Sequence, residues 1–443
     1  MKVTKKAAFH NLGCKVNAYE TEAMQQLLEA DGYEIMSFKE GADIYIINTC
    51  TVTNIADRKS RQMLHKAKKM NPSSIVIAAG CYAQSSKEIL EVDAAIDIII
   101  GNNKKKDLIE IIEEYKNGKM ESETVIDINC TNEFEPLSLK STGERTRAYI
   151  KVQDGCNQFC SYCIIPFTRG RVRSRKIEDI LSEVERLVSI GYKEVILAGI
   201  HLSSYGIDIK DETGEQRENL LSLILAIHKI DKLERIRLSS LEPGIITEEF
   251  AKVTSALTKF CPHFHLSLQS GCDETLKRMN RRYTSGEYYD TCKILRKQFD
   301  NPAITTDVIV GFPGETEEEF NITKEFLKKS KLYETHVFKY SKRKGTLASA
   351  MEHQVDERIK AKRSKILLEL NEKNQTSYEK ALIGSEASIL CEEQVTIDGE
   401  VYNLGHTKEY VRIGVKTTEK LENEIIKGKV SGVLKEHILE VEI

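Results

Sequence analysis

Three cysteines within eight residues, in the stretch Asp154-Gly155-Cys156-Asn157-Gln158-Phe159-Cys160-Ser161-Tyr162-Cys163, limit what this chain can build more than any other feature. Their C-x3-C-x2-C spacing suits three corners of one iron–sulfur cluster. Such clusters are held by thiolates, usually four, so a compact set of three leaves one iron without a protein ligand. An open metal position is where chemistry takes place. Zinc or three buried cysteines are the competing readings. Zinc sites normally combine two closely spaced ligand pairs, and the nearest histidine here is His201.

With 443 residues the chain is long enough for several domains, and 40% hydrophobic and 30% charged residues let it bury ordinary cores. A formal charge of −3 argues neither for nor against a nucleic-acid partner. No run of 18 apolar residues occurs, and the basic start lacks an apolar core segment. The expectation is no signal peptide, no membrane span and a cytoplasmic location. Eleven cysteines in such a chain point to a reducing compartment and to thiols kept for metal or redox work.

Residues 1–115 alternate short apolar runs (7–12, 44–48, 75–79, 96–100) with amphipathic stretches (19–30, 55–70, 85–90, 105–115), the pattern of a wound parallel α/β domain. Cys14, Cys50 and Cys81 each follow one of the first three strands. They lie 36 and 31 residues apart, yet in a parallel sheet the strand ends share one edge, where ligands bind. Three buried structural cysteines are the alternative. Residues 116–141 are polar, aperiodic and interrupted by Gly118 and Pro136, and read as a linker. Cys130, Cys261, Cys272, Cys292 and Cys391 form no spaced set and read as ordinary thiols.

Residues 142–373 carry about six strand–helix repeats, consistent with a full or partial βα barrel whose site lies at the carboxyl ends of its strands. Strand exits with polar or glycine-rich residues occur at Ala198–Gly206, Ser239–Pro243, Ser267–Gly271 and Thr306–Glu315. Basic runs at 169–176 (Arg169, Arg171, Arg173, Arg175, Lys176), 277–282 (Lys277, Arg278, Arg281, Arg282) and 339–344 (Lys339, Lys342, Arg343, Lys344) suit either solvated faces or a phosphate-binding rim. A long helix over 356–382 leads into residues 374–443, whose short alternating runs and frequent glycines predict a small five-stranded all-β barrel. From Gly384 to Ile443 there are 12 acidic and 7 basic residues, a poor average balance for binding RNA.

The cysteine loop at 156–163 resembles the cluster motif of radical S-adenosylmethionine (SAM) enzymes. Gly13-Cys14-Lys15-Val16-Asn17-Ala18-Tyr19-Glu20, Asn48-Thr49-Cys50-Thr51-Val52-Thr53 and Gly80-Cys81-Tyr82-Ala83-Gln84 resemble the three blocks of the methylthiotransferase amino-terminal domain, and the carboxyl-terminal segment is similar to a TRAM RNA-binding module. The resemblance covers essentially the whole chain. It implies a transferase with two 4Fe-4S clusters, one held by Cys156, Cys160 and Cys163 and the other by Cys14, Cys50 and Cys81. The first would reduce SAM to a 5′-deoxyadenosyl radical that abstracts hydrogen from the substrate, and the second would carry a SAM-methylated sulfur that captures the substrate radical. It further implies that Tyr162 and Gly311 line the adenine of SAM, that Gly199 approaches its methionine part, and that Ser239, Glu242 and Gln269 contact its ribose or carboxylate. The implied partners are a tRNA anticodon stem-loop and a low-potential electron donor such as flavodoxin or ferredoxin.

Asn48–Thr53 and Ser239–Pro243 resemble the branch acting on N6-threonylcarbamoyladenosine. The isopentenyladenosine branch usually has Arg where Thr53 stands. The threonylcarbamoyl carboxylate predicts a basic residue from 169–175 or 339–344 facing it. Isopentenyladenosine, a ribosomal-protein aspartate, and an RNA-binding or electron-transfer role for the clusters are the alternatives.

Overall fold

The computed structural model describes residues 5–140, 146–210, 212–216 and 218–443. In the amino-terminal unit, β1 (Lys6–Asn11), β3 (Ile44–Thr49) and β4 (Ile75–Gly80) are runs rich in Ala and Ile, buried on both faces as central parallel strands are. With β2 (Glu34–Met36) and β5 (Ile98–Ile100) at the edges they form a parallel sheet ordered β2-β1-β3-β4-β5. Helix α1 (Lys15–Ala30) packs Met24 and Leu28 into the core on one face, and α2 (Asn54–Met70) packs Leu64 and Ala67 into the core on the other. The edge strand β2 carries only three residues and leaves no readable alternation in the sequence.

Among the described residues, the central unit holds six parallel strands. Strands β6 (Arg147–Lys151), β9 (Glu194–Ala198) and β10 (Arg235–Leu238) form one half, and β11 (His263–His265), β12 (Ala303–Val310) and β13 (Glu334–Lys339) the other. Single bridges, Ile236 to Phe260 and Leu241 to Leu266, join the halves into a partial barrel. Strand β11 pairs regularly only to His265, because from Leu266 the chain is drawn across to Leu241. Two short strands, β7 (Gln153–Asp154) and β8 (Arg173–Ser174), pair antiparallel and pinch the base of the loop carrying Cys156–Cys163.

A 25-residue helix (Glu357–Ala381) leads to the carboxyl-terminal barrel of β14 (Glu386–Ile397), β15 (Glu400–Thr407), β16 (Arg412–Lys416), β17 (Ile425–Lys435) and β18 (Ile438–Glu442), closed in the order β14-β15-β16-β18-β17. It is bolted to β10: Arg235 donates to the carbonyls of His406 and Ser388, and Arg237 to those of Thr407 and Lys408. Buried Glu194 on β9 pairs with both guanidiniums, at 3.6 Å from Arg235 and 2.7 Å from Arg237.

The expected linker is a packed strap. Val125, Ile128, Leu137 and Leu139 are buried, Gln84 donates to Ile126 O, and Tyr19 Oη donates to Leu137 O. Its sparse apolar residues carry the packing that its polar composition conceals. The junction expected at 141–142 lies outside the described residues. No helix among the described residues is long and apolar enough to cross a membrane.

Candidate active site between two cysteine sets

Strands β1, β3 and β4 are neighbours in the sheet, and a cysteine leaves the carboxyl end of each. Cys14 caps α1, Cys50 directly follows β3, and Cys81 opens a short helix (Cys81–Ser85) after β4. Gly13 makes their approach possible: its φ is 113°, and a Cβ there would lie 3.1 Å from Cys50 Cβ. In the central unit, Cys156 N donates to Gly170 O and Cys163 N to Cys160 O. Ser161 anchors the loop to the opposite side of the barrel through Met279 O and Arg278 O.

Both sets suit a cluster better than a single ion. A zinc ion bonds sulfur at about 2.3 Å, which puts tetrahedral sulfurs about 3.8 Å apart. Among the described residues, groups of three ligand atoms all within 4.8 Å of one another occur at His265–Asp307–His336 and Glu372–Glu436–His437, not at either cysteine set. Burial pushes the thiols up, Cys50 and Cys156 to about 11 and Cys163 to about 12, so a metal that takes them as thiolates must displace their protons.

A buried ionic network joins the two sets. Arg169, just beyond the 156–163 loop, donates from Nε to Cys81 Sγ at 3.3 Å and from Nη2 to Asn17 Oδ1 at 2.6 Å. It also pairs with Glu20 at 2.8 Å and with Asp154 at 3.2 Å. Lys151 reaches Glu20 at 2.7 Å and Asp154 at 2.6 Å, Lys105 reaches Glu20 at 3.1 Å, and Arg173 lies 3.7 Å from Asp154. Burial opposes ionisation of Glu20 and Asp154, but the surrounding cations outweigh it and hold both carboxyls below their ordinary values. Even with buried Glu135, which also acts on Lys151, four cations face three carboxylates. An excess of buried positive charge is costly unless an anion meets it. A thiolate-held cluster at Cys14, Cys50 and Cys81 would supply such an anion, and the donor from Arg169 to Cys81 is the kind of contact that tunes one.

The other expected site residues gather at the strand ends. Glu242 lies 3.1 Å from His201 Nε2 and 2.9 Å from Arg281 Nη2, and accepts from Gln158 of the cysteine loop. Arg281 in turn donates to Cys160 Sγ at 3.1 Å. Tyr162 packs edge-on against Phe312, which brings it beside Gly311. Gly199 abuts Gln153, whose side chain donates to the carbonyls of Asp154 and Gly155. Buried Ser239 has no hydrogen-bond partner for Oγ, and Gln269 holds a left-handed φ of 69° while its N–H bonds Asp307 O. An unpartnered buried hydroxyl and a strained non-glycine residue at one strand edge mark a site built for a ligand.

The basic runs do not form a continuous rim. Arg169, Arg173, Arg175 and Arg343 are buried: Arg175 pairs with Glu183, and Arg343 binds Asp57 and Thr51 of the amino-terminal unit. Arg171, Lys176, Lys277, Arg282, Lys339, Lys342 and Lys344 remain exposed. Lys15 and Arg147 instead border a cavity of about 630 Å³ beside Cys14, between the amino-terminal unit, β6 and the carboxyl-terminal barrel. Burial, with Arg237 and Arg147 adding repulsion, pushes Lys15 down to about 8. Sequence reasoning passed over Glu20, Lys151 and Lys15. Lys151, a charge at the end of β6 between apolar Ile150 and Val152, was the available signal, since a charge there requires a buried partner.

Comparison with known proteins places this arrangement. Residues 150–327 match the Radical SAM superfamily and residues 6–101 match Uncharacterized protein family UPF0004. The chain is 41% identical over 425 residues to Threonylcarbamoyladenosine tRNA methylthiotransferase MtaB of Bacillus subtilis (strain 168), covering 96% of this chain and 93% of that one. It is 33% identical over 426 residues to tRNA-2-methylthio-N(6)-dimethylallyladenosine synthase of Finegoldia magna (strain ATCC 29328 / DSM 20472 / WAL 2508), covering 94% and 90%. In fold it is similar to the radical S-adenosylmethionine methyltransferase TsrM from Kitasatospora setae with cobalamin and a 4Fe-4S cluster bound, with a TM-score of 0.57 and 14% identity over 78% of this chain and 74% of that one.

Proposed function

We propose that this chain, which belongs to the radical SAM methylthiotransferase family and uses SAM and 4Fe-4S chemistry, converts N6-threonylcarbamoyladenosine in a tRNA anticodon stem-loop to its 2-methylthio derivative. The observation that carries the reaction is the buried network joining Cys81 of one cysteine set to Asp154 at the base of the other. Cys156, Cys160 and Cys163 hold one cluster and Cys14, Cys50 and Cys81 a second, an assignment supported by the cationic excess around the latter. When bound, the clusters and SAM supply one-electron chemistry and the sulfur.

The chain's own residues place and enclose these groups. Tyr162 and Gly311 would line the adenine of SAM, Gly199 would approach its methionine part, and Ser239, Glu242 and Gln269 would contact its ribose or carboxylate. Glu242 is kept in place by Arg281 and His201. The remaining units are the strap from 116 and the carboxyl-terminal barrel from Glu386, and the chain works in the cytoplasm with a low-potential flavodoxin or ferredoxin as donor. The threonylcarbamoyl substrate is supported by the relative from Bacillus subtilis, and the relative from Finegoldia magna favours isopentenyladenosine as the second reading. Mass spectrometry of tRNA nucleosides from a strain lacking the gene decides between them. Loss of 2-methylthio-N6-threonylcarbamoyladenosine is expected, and its persistence alongside loss of the isopentenyl product would refute the substrate. Anaerobic reconstitution should load about eight irons, as two cubanes require.

A further inference from the structure

We propose that Lys15 and Arg147 form a carboxylate-binding subsite that receives the acidic tip of the substrate's N6 arm beside Cys14. This rests on the threonylcarbamoyl reading and deepens it. The two residues come from different units, α1 and β6, and both border the cavity of about 630 Å³ into which Cys14 opens. Lys15 makes no hydrogen bond or ion pair among the described residues. Arg147 spends Nη2 on Glu392 at 3.1 Å and lies over the Tyr410 ring, but its buried Nη1 has no partner. An unpartnered ammonium and an unpartnered guanidinium N–H at one cavity wall are stabilised by an anion, and a carboxylate can accept from both.

The acidic residues at the same cavity do not cancel this pair. Glu392 is shared between Arg147 and His406, the latter at 2.8 Å, and Glu393 is paired with Arg412 at 2.8 Å. Glu422 is exposed at the rim. The chemistry of the base fits the position. C2 and the N6 substituent flank N1 along one edge of adenine, so anchoring the N6 arm beside Cys14 turns C2 toward the amino-terminal cysteine set. Lys15 adjoins Cys14 in the chain, so substrate placement and the nearest cysteine share one backbone turn.

The test compares two anticodon stem-loops, one carrying N6-threonylcarbamoyladenosine and one carrying its threonine-amide counterpart, with the reconstituted holoenzyme and with the K15Q and R147K variants. Both kcat/KM for methylthiolation and equilibrium binding of each stem-loop are measured. Wild type should favour the carboxylate by roughly 10- to 100-fold, the range of one charge-assisted hydrogen bond. Each variant should bring that ratio toward one. R147K keeps the charge but loses the fork, so it reports on the subsite even where K15Q folds poorly. A wild type that treats acid and amide alike, or variants that retain the full ratio, would overturn the subsite while leaving the substrate intact. A wild type that acts on neither stem-loop but on an isopentenyladenosine one would overturn the substrate reading, and the subsite with it.

Discussion

Replacing Arg169 with Met removes the residue that bonds Cys81 of one cysteine set and Asp154 at the base of the loop carrying the other, while nearly preserving its volume. The guanidinium bonds Glu20 at 2.8 Å, Asp154 at 3.2 Å, Asn17 at 2.6 Å and Cys81 at 3.3 Å, all at zero exposure of its own side chain. Breaking a buried pair costs about 3–5 kcal/mol because a charge is stranded. Here Lys151 still holds both carboxylates, at 2.7 and 2.6 Å, and Lys105 still holds Glu20 at 3.1 Å, so neither is stranded. The expected loss is therefore at the lower end, about 3 kcal/mol, and it falls on the junction between the amino-terminal unit and the barrel. Thermal melting and limited proteolysis of the reconstituted protein read it, with E20Q and the E20Q/R169M pair completing a double-mutant cycle. A coupling of about 1–3 kcal/mol is expected, because the two side chains are in direct contact. In a C156A/C160A/C163A background, R169M should also move the reduction potential of the remaining cluster to more negative values, since a donor to one of its sulfurs is lost. Unchanged melting together with an unchanged potential would refute the role of Arg169.

The C14A/C50A/C81A variant should cleave SAM without methylthiolating tRNA, whereas C156A/C160A/C163A should do neither, and each should lose about four irons on reconstitution. Methylthiolation by the first variant would refute the division of labour. G155A should misplace the loop, because φ at Gly155 is 70° and a Cβ there would overlap the Arg171 carbonyl. The φ strain alone is worth about 1–2 kcal/mol, and iron content with melting temperature measures the outcome. Burial pushes the Glu194 carboxyl up, but Arg237 and Arg235 more than reverse this, so its folded value lies below its unfolded one. A depressed carboxyl contributes stability above its unfolded value, about 4.3, and the contribution fades as pH falls through the lower folded value. Docking of the carboxyl-terminal barrel should therefore weaken below about pH 4 in wild type, and E194Q should lose about 3 kcal/mol already at pH 7, both seen by hydrogen exchange at β14 and β15.

The parts of this molecule legible in its sequence are those set by local spacing or by period. The cysteine loop announces itself by C-x3-C-x2-C, and the strand-end cysteines by the alternation of apolar runs with amphipathic helices. Both β2 and the regular limit of β11 escape that logic, because three-residue strands are fixed by their neighbours and not by their own pattern. The basic run at 169–175 shows the other limit. Its charges look like a solvated face, yet Arg169, Arg173 and Arg175 point inward while Arg171 is exposed. Nothing within the run distinguishes them. Their partners Glu20 and Glu183 lie on helices 149 and 8 residues away in sequence, and only the fold unites them.

That inward turn of the arginines changes how a nearly neutral chain can serve tRNA. Cations at 169, 173 and 343 are committed to Glu20, Asp154 and Asp57, so they hold units together and cannot contact phosphate. The exposed cations that remain in those runs, such as Arg171, Arg282, Lys339 and Lys342, come from three separate stretches of the chain: before β8, after β11, and at the end of β13. A backbone grip built from so few charges gives a shallow salt dependence, since each neutralised phosphate contributes one released counterion. Placement of the reacting nucleoside then leans on contacts to its N6 arm, which is where Lys15 and the unpartnered Nη1 of Arg147 stand.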